Sequence, residues 1–174
     1  MSYKRFKILK KSMSELTKHD YDGTVNGRYF SGGFNWCSEF VSWVYKEAGY
    51  PFTDGAYSAR IVDPPDNGEW MQRTSTRIVD WFQANSIYVH RDSDLWYDLE
   101  PRMGDYVLIG RFGSDRLHSG LVDYVSSSGT LHTIEGNNAG REVMRFQYPH
   151  YKINDKNNGE ANGIIMGIGV IHDN

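Results

Sequence analysis

Cysteine is scarce in this chain, and its scarcity limits the chemistry available to the protein. There is 1 cysteine among 174 residues, so an internal disulfide is impossible, and the scattered histidines show no zinc-ligand spacing. The net charge is only -3, which does not favour nucleic-acid binding, because such proteins usually present a basic face. Long apolar runs are also missing, so we expect no membrane-spanning segment. The role of the single cysteine is therefore inferred from the residues around it in the sequence.

Length and composition favour one core. With 39% hydrophobic residues, the chain is long enough for a single domain, which we expect to span residues 1–174. The basic run 1–11 is not followed by the apolar stretch of a secretory signal, so we interpret it as a solvated helix face. We expect strands at 105–109 and at 164–171, the latter closing the sheet. The sequence indicates neither the localisation nor the oligomeric state.

The cysteine lies where a helix is predicted to begin. Asn35 is a suitable N-cap, and Gly49 is a typical stop. Between them, apolar positions recur at helical spacing: Cys37, Val41, Val44 and Ala48. A thiol in the first turn is near free N–H groups and the positive end of the helix dipole, which favour the thiolate. The alternative is that Cys37 is simply a small buried residue of the core.

Two predicted strands downstream form a hairpin around the turn 126–129. If Val125 faces Thr130, Gly120 lies opposite Glu135. The same count pairs His118 with Asn137, and it brings a long glutamate within diagonal reach of the histidine. It also pairs His132 with Asp123 and directs His132 to the opposite face. A slip of one residue would destroy the arrangement, so the register is a strict prediction.

These residues have the properties of a nucleophilic site. A thiol needs a base to hold it as thiolate, and an imidazole needs a third group to fix its tautomer and stabilise its charged form. Cys37, His118 and Glu135 fit those roles, with Asn137 in support. Glu135 is the better orienter because it carries charge. Without the cysteine, Glu135 and Asn137 would be interpreted as a solvated strand end and a turn cap.

Four segments together resemble the CHAP domain, the cysteine, histidine-dependent amidohydrolase/peptidase family. They are WCSEFVSW at 36–43, PRMGDYV at 101–107, HSGLV at 118–122 and IEGN at 134–137. The resemblance implies an α+β, papain-like fold of the NlpC/P60-CHAP type, with N-terminal helices packed on an antiparallel β-sheet. It also implies that Cys37 is the nucleophile and that peptidoglycan peptides are the substrate.

Two further groups of residues are compared with the pattern of CHAP domains. Many CHAP sequences have glutamine where this chain has Trp36, so that side chain is not available for an oxyanion hole, whereas the Cys37 backbone N–H is. Asn35 could supply a second oxyanion donor or, more simply, cap the helix. We consider Trp36 and Asn35 as substrate-binding candidates. Some CHAP domains hold calcium upstream of the cysteine. Asp20 and Asp22 offer two carboxylates there, but further ligands are lacking and an ordinary acidic turn is favoured, so we expect no metal or other cofactor.

The leading hypothesis is a cysteine amidohydrolase or endopeptidase that cleaves amide bonds in bacterial peptidoglycan peptides through a thioester. One alternative is a catalytically silent module that binds wall peptides on the same fold. The other is an NlpC/P60-type peptidase, which commonly uses a second histidine as its third member. Glu135 in that position argues against it.

Overall fold

A computed structural model describes residues 2–19, 36–52, 75–110, 117–137, 141–153 and 163–173. In these ranges the chain forms an α+β structure whose three helices are α1 (Tyr3–Met13), α2 (Cys37–Glu47) and α3 (Ser75–Asn85). None of these helices has the length and apolar character needed to cross a membrane.

Within the described ranges, six strands form one antiparallel sheet in the order β1-β6-β2-β3-β4-β5. Their bounds are β1 Ile87–His90, β2 Tyr106–Gly110, β3 Leu117–Val125, β4 Leu131–Glu135, β5 Met144–Tyr148 and β6 Ile164–Val170. Strands β3 and β4 are the predicted hairpin, and they lie between β2 and β5. The hairpin is therefore supported by a paired strand on each side.

The inner strands of the sheet are buried on both faces because their residues alternate between two apolar clusters. On the helix side, Tyr106 and Leu108 of β2 join a core with residues of all three helices. On the other side, Val107 and Ile109 join a second core that includes Trp96 and residues of β3 to β6. This period-2 alternation is what a strand with two covered faces requires. On the helix side, α2 packs against β3.

Strand β6 differs from its prediction. It was expected to close the sheet, but it lies between β1 and β2, where it pairs with both. Gly169 allows a close approach there, because a Cβ at this position would come within 2.6 Å of the Phe82 ring. The missing side chain lets α3 pack directly on the sheet. This glycine thus makes room for a helix.

Helix α1 is attached to the sheet by a buried arginine. The Arg5 guanidinium donates to the Asp105 carboxylate at 2.8 Å and to the Asp173 carboxylate at 2.6 Å, as well as to the carbonyls of Met103 and Ile171. Arg5 and Asp105 are both buried. This network connects the first helix, the start of β2 and the end of the chain.

Candidate active site

The thiol of Cys37 lies at the first residue of α2, as the sequence predicts. Gly49 ends the helix with a φ of +89°, a backbone conformation that glycine adopts readily. The N-terminus differs from the prediction: Trp36 occupies the cap position and makes no side-chain cap hydrogen bond. Asn35, predicted as the cap and as an oxyanion donor, lies outside the described residues. The nucleophile candidate is buried, with 5% of its surface exposed.

The hairpin brings His118 and Glu135 together by the predicted register. Gly120 pairs with Glu135, which confirms that part of the prediction. The diagonal contact also forms, because Nε2 of His118 lies 2.9 Å from Oε2 of Glu135. Both side chains are buried, and Glu135 is fully enclosed. An imidazole and a carboxylate therefore share one interior site.

Near the turn the predicted register is wrong by one residue. Val125 pairs with Leu131 instead of Thr130, and His132 pairs with Tyr124 instead of Asp123. The irregularity lies between Val122 and Tyr124, so the bulge restores the predicted register toward the site. The one-residue shift at the turn and the bulge therefore cancel before the strand reaches Glu135.

The Asp123 carboxylate, at the bulge, forms a hydrogen bond with a residue of β5. Asp123, displaced from the ladder by the bulge, accepts a hydrogen bond from Nε of Arg145 at 2.8 Å. His132 stacks on Tyr124, with ring centroids 4.0 Å apart. Neither contact involves the thiol or the Glu135 carboxylate.

Glu135 has two further donors that the sequence did not reveal. The Thr133 hydroxyl donates to Oε1 at 2.6 Å, and the Tyr148 hydroxyl donates to the same atom at 2.8 Å. Thr133 was detectable, since residues two apart on a strand share a face. Tyr148 was not, because its approach depends on the pairing of β5 with β4. These bonds leave Oε2 for His118 and fix the carboxylate in place.

The electrostatics favour a charged pair. Burial opposes the ionised form of Cys37, yet hydrogen bonding with His118 and its charge, with support from the Ser119 N–H and the Ser38 hydroxyl, lowers the pKa of the thiol below its ordinary 9.0. Burial also opposes the charged form of His118, but its contacts with Cys37 and Glu135 raise the pKa of the imidazole to about 9. Both shifts favour a thiolate beside an imidazolium.

The His118 imidazole also lowers the pKa of the Glu135 carboxyl. Burial would raise the pKa of the Glu135 carboxyl, but the hydrogen bond and charge of His118, together with the Thr133 and Tyr148 hydroxyls, hold it below its ordinary value. The side chains of Cys37, His118 and Glu135 thus form a continuous row of contacts. Because Nε2 faces the carboxylate, Nδ1 is the ring nitrogen that remains for the sulfur.

Asn137, another predicted site residue, does not pair with His118 as expected. Within the described hairpin the ladder ends at the Gly120–Glu135 pair, so the predicted pairing of His118 with Asn137 does not form. Asn137 follows the strand with a φ of 58° and is partly exposed. Its proposed supporting role stays a prediction.

Trp36 belongs to the helix-side core and is 0% exposed. Its ring packs on Gly136, where a Cβ would come within 2.6 Å of Cζ3. In this structure the indole is therefore a core residue, and its role as a substrate contact stays a prediction. Asp20 and Asp22, the weak calcium candidates, lie outside the described residues.

Comparison with known protein families identifies the family of this chain. The profile of the CHAP domain matches residues 29–137, which is more than half of the chain, so the chain belongs to the CHAP domain family. CHAP domains are generally hydrolases of the amidase or peptidase type. The matched range includes Cys37, His118 and Glu135.

Among solved structures, "The crystal structure of Ly7917" is similar to this chain, with 17% sequence identity and a TM-score of 0.48. The similarity covers 94% of this chain and 61% of that chain, so this chain spans less than two thirds of that protein's length. No curated protein sequence matches this chain significantly.

Proposed function

We propose that this CHAP domain is a papain-like cysteine hydrolase that cleaves amide bonds in the peptides of bacterial peptidoglycan. The observation that carries the proposal is the buried, continuous contact of Cys37, His118 and Glu135, in which each pKa moves toward the charged form that catalysis needs. The family supplies the substrate class. A merely structural cysteine would not need a charged imidazole beside it.

The first half of the reaction forms an acyl-enzyme. The Cys37 thiolate attacks the scissile carbonyl carbon, an S–C bond forms, and the carbonyl oxygen becomes an oxyanion. The His118 imidazolium donates its proton to the leaving amine as the C–N bond breaks. Glu135 stabilises the imidazolium before this transfer and holds the ring in position afterwards. The products of this half are a free amine and a thioester on Cys37.

The second half releases the acid. Neutral His118 takes a proton from water, the water oxygen attacks the thioester carbonyl, and the S–C bond breaks to return the thiolate. The imidazolium is restored at the same time, so the thiolate–imidazolium pair is ready for another cycle. The balance is one amide and one water consumed for one acid and one amine.

The oxyanion has a candidate donor in the backbone. The first N–H groups of an α-helix have no carbonyl partner within the helix, and the N–H of Cys37 belongs to this set. It lies at the positive end of the α2 dipole, which favours negative charge. We propose that this N–H donates to the oxyanion as the tetrahedral intermediate forms.

The test is digestion of defined muropeptides followed by mass analysis of the products. The wild-type protein is expected to release fragments that differ from the substrate by one added water at an amide bond. Cys37→Ala should abolish the products while retaining the wild-type circular dichroism spectrum. His132→Ala is the matched histidine control, and it should cleave normally because His132 stacks on Tyr124 instead of facing the site.

Binding separates the hydrolase from a silent module. If the wild-type protein retains muropeptides on a column but releases no products, the chain is a wall-peptide binding module and the hydrolase proposal is wrong. Cleavage by Cys37→Ala at the wild-type rate would exclude the thioester mechanism.

A further inference from the structure

A line of buried hydroxyl groups leads to the sulfur of Cys37. The Tyr106 hydroxyl lies 3.1 Å from the Ser119 hydroxyl, which lies 2.9 Å from the Ser38 hydroxyl. The Ser38 hydroxyl in turn lies 4.0 Å from the Cys37 sulfur, within the range of a sulfur hydrogen bond. We infer that Tyr106, Ser119 and Ser38 form a hydroxyl relay that positions and stabilises the Cys37 thiolate.

The relay joins three elements at the site. Tyr106 belongs to β2, Ser119 to β3, and Ser38 to the first turn of α2. All three residues are buried, with 0%, 0% and 1% of their surfaces exposed. Buried hydroxyls that are fully hydrogen-bonded are held in one geometry, because breaking a bond would leave a polar group unsatisfied. The relay therefore fixes the distance between the helix and the sheet where the sulfur lies.

The direction of the hydrogen bonds follows from the charge of the sulfur. A thiolate only accepts, so the Ser38 hydroxyl must donate to it. Ser38 can then accept from Ser119, and Ser119 from Tyr106, which orients every hydroxyl dipole toward the negative charge. Chains of this kind strengthen one another in a low-dielectric interior. Tyr106 is thus expected to act on the sulfur without touching it.

Ser119 has a second route to the sulfur. Its backbone N–H is a hydrogen-bond donor to Cys37, while its side chain occupies the middle of the relay. The residue follows His118 in the chain, as Ser38 follows Cys37. Each member of the charged pair is therefore followed by a serine, and the two serines are bonded to each other across the site.

These are positioning residues, because none of them needs to touch the substrate. The inference rests on the proposed function only for its importance in catalysis. Its test uses the thiol itself: the rate of Cys37 alkylation by iodoacetamide is measured against pH, and the midpoint reports the stability of the thiolate.

The test variants remove one hydroxyl at a time. Ser38→Ala is expected to move the alkylation midpoint to higher pH and to lower the rate at pH 6 by about 2- to 10-fold, the equivalent of one hydrogen bond. Tyr106→Phe should move the midpoint in the same direction by a smaller amount. It keeps the ring that stacks on Phe82 at 5.6 Å, so this variant remains informative if Ser38→Ala does not fold.

Two matched controls remove similar buried hydroxyls that donate to backbone carbonyls instead of to the hydroxyls of the relay. The Ser42 hydroxyl is buried on the same helix and donates to the Ser38 carbonyl at 2.8 Å. The Tyr45 hydroxyl is buried and donates to the Gly104 carbonyl at 2.8 Å. Ser42→Ala and Tyr45→Phe should leave the alkylation midpoint at its wild-type value, even if they lower the melting temperature.

The relay is wrong if folded Ser38→Ala and Tyr106→Phe keep the wild-type midpoint, or if the controls move it equally. Failure of the proposed function has a different signature. In that case the relay variants still move the midpoint, but wild-type protein releases no products from muropeptides.

Discussion

Gly120 lies directly opposite Glu135, and a Cβ at position 120 would come within 2.8 Å of the Glu135 Cγ. The missing side chain leaves the space through which the glutamate crosses to His118. Glu135 has little freedom to move away, because Thr133 and Tyr148 both donate to its carboxylate. The glycine is therefore required by the site and not by a turn.

Gly120→Ala should displace the Glu135 carboxylate from His118. We expect kcat/KM to fall by about 10- to 100-fold, since small errors in the position of a catalytic group have effects of this size. Steady-state cleavage of a muropeptide measures it. Gly129→Asn is the control at the other end of the same hairpin, where nothing lies within 4 Å of an added Cβ and asparagine tolerates the φ of +79°. Equal activity of wild type and Gly120→Ala would contradict this account.

Glu135→Gln keeps the shape of the third group but removes its charge. Because the carboxylate helps to hold His118 protonated, the pKa of the imidazole should fall below about 9. We expect kcat to fall by about 10²- to 10⁴-fold. Titration of the His118 ring by NMR reports the pKa change directly.

Asp123→Asn is the matched control for that change. Asp123 is a buried carboxylate of the same hairpin that is paired with Arg145 instead of a histidine. Its amide variant should leave the His118 titration unchanged. If both variants move the titration alike, the effect is a general loss of negative charge.

The activity should depend on pH with two limbs. The reactive form has Cys37 as thiolate and His118 as imidazolium. On the acid side the thiolate is lost as it takes up a proton, at a pH below the ordinary thiol value of 9.0 because the pKa of Cys37 is lowered. On the alkaline side the imidazolium loses its proton at about pH 9. A profile of kcat/KM against pH should be bell-shaped, and activity that rises steadily past pH 10 would rule out the charged pair.

The sequence was sufficient for the parts of the site that depend on local patterns. The helix that starts at Cys37 and ends before Gly49 follows from its apolar spacing and its stop. The Gly120–Glu135 pair was found although the turn was misjudged. Ser126 pairs with Thr130 there, with its N–H bonded to the Thr130 carbonyl at 2.9 Å. The turn is thus one residue shorter than predicted, and the bulge at Asp123 compensates for it.

What the sequence could not provide depends on long-range packing. The contact of Tyr148 with Glu135 requires the fifth strand, and the burial of Trp36 requires Gly136 from the end of the fourth. The position of β6 between β1 and β2 was not predicted, because it depends on pairing with two strands that are distant in the chain. Such features arise from partners that are distant in the chain.

Arg5 lies before the residues that match the family, yet it should be essential for stability. Its ion pair with Asp105 is buried, with side chains 3% and 1% exposed. Arg5→Met removes one partner and leaves a buried carboxylate, which typically costs about 3–5 kcal/mol of unfolding free energy. Urea denaturation measures this loss. Lys10→Met, on an exposed position of the same helix, should change it by about 0.5 kcal/mol or less.

The central claim is that Cys37 forms a covalent acyl intermediate, and acid quenching tests it most directly. The protein is mixed with a muropeptide, quenched within the first turnover, digested and analysed by mass spectrometry. The account predicts an acyl adduct on the peptide that contains Cys37, absent from Cys37→Ala and accumulating less in His118→Ala. Product release by the wild-type protein without any adduct at Cys37, together with full activity of Cys37→Ala, would contradict it.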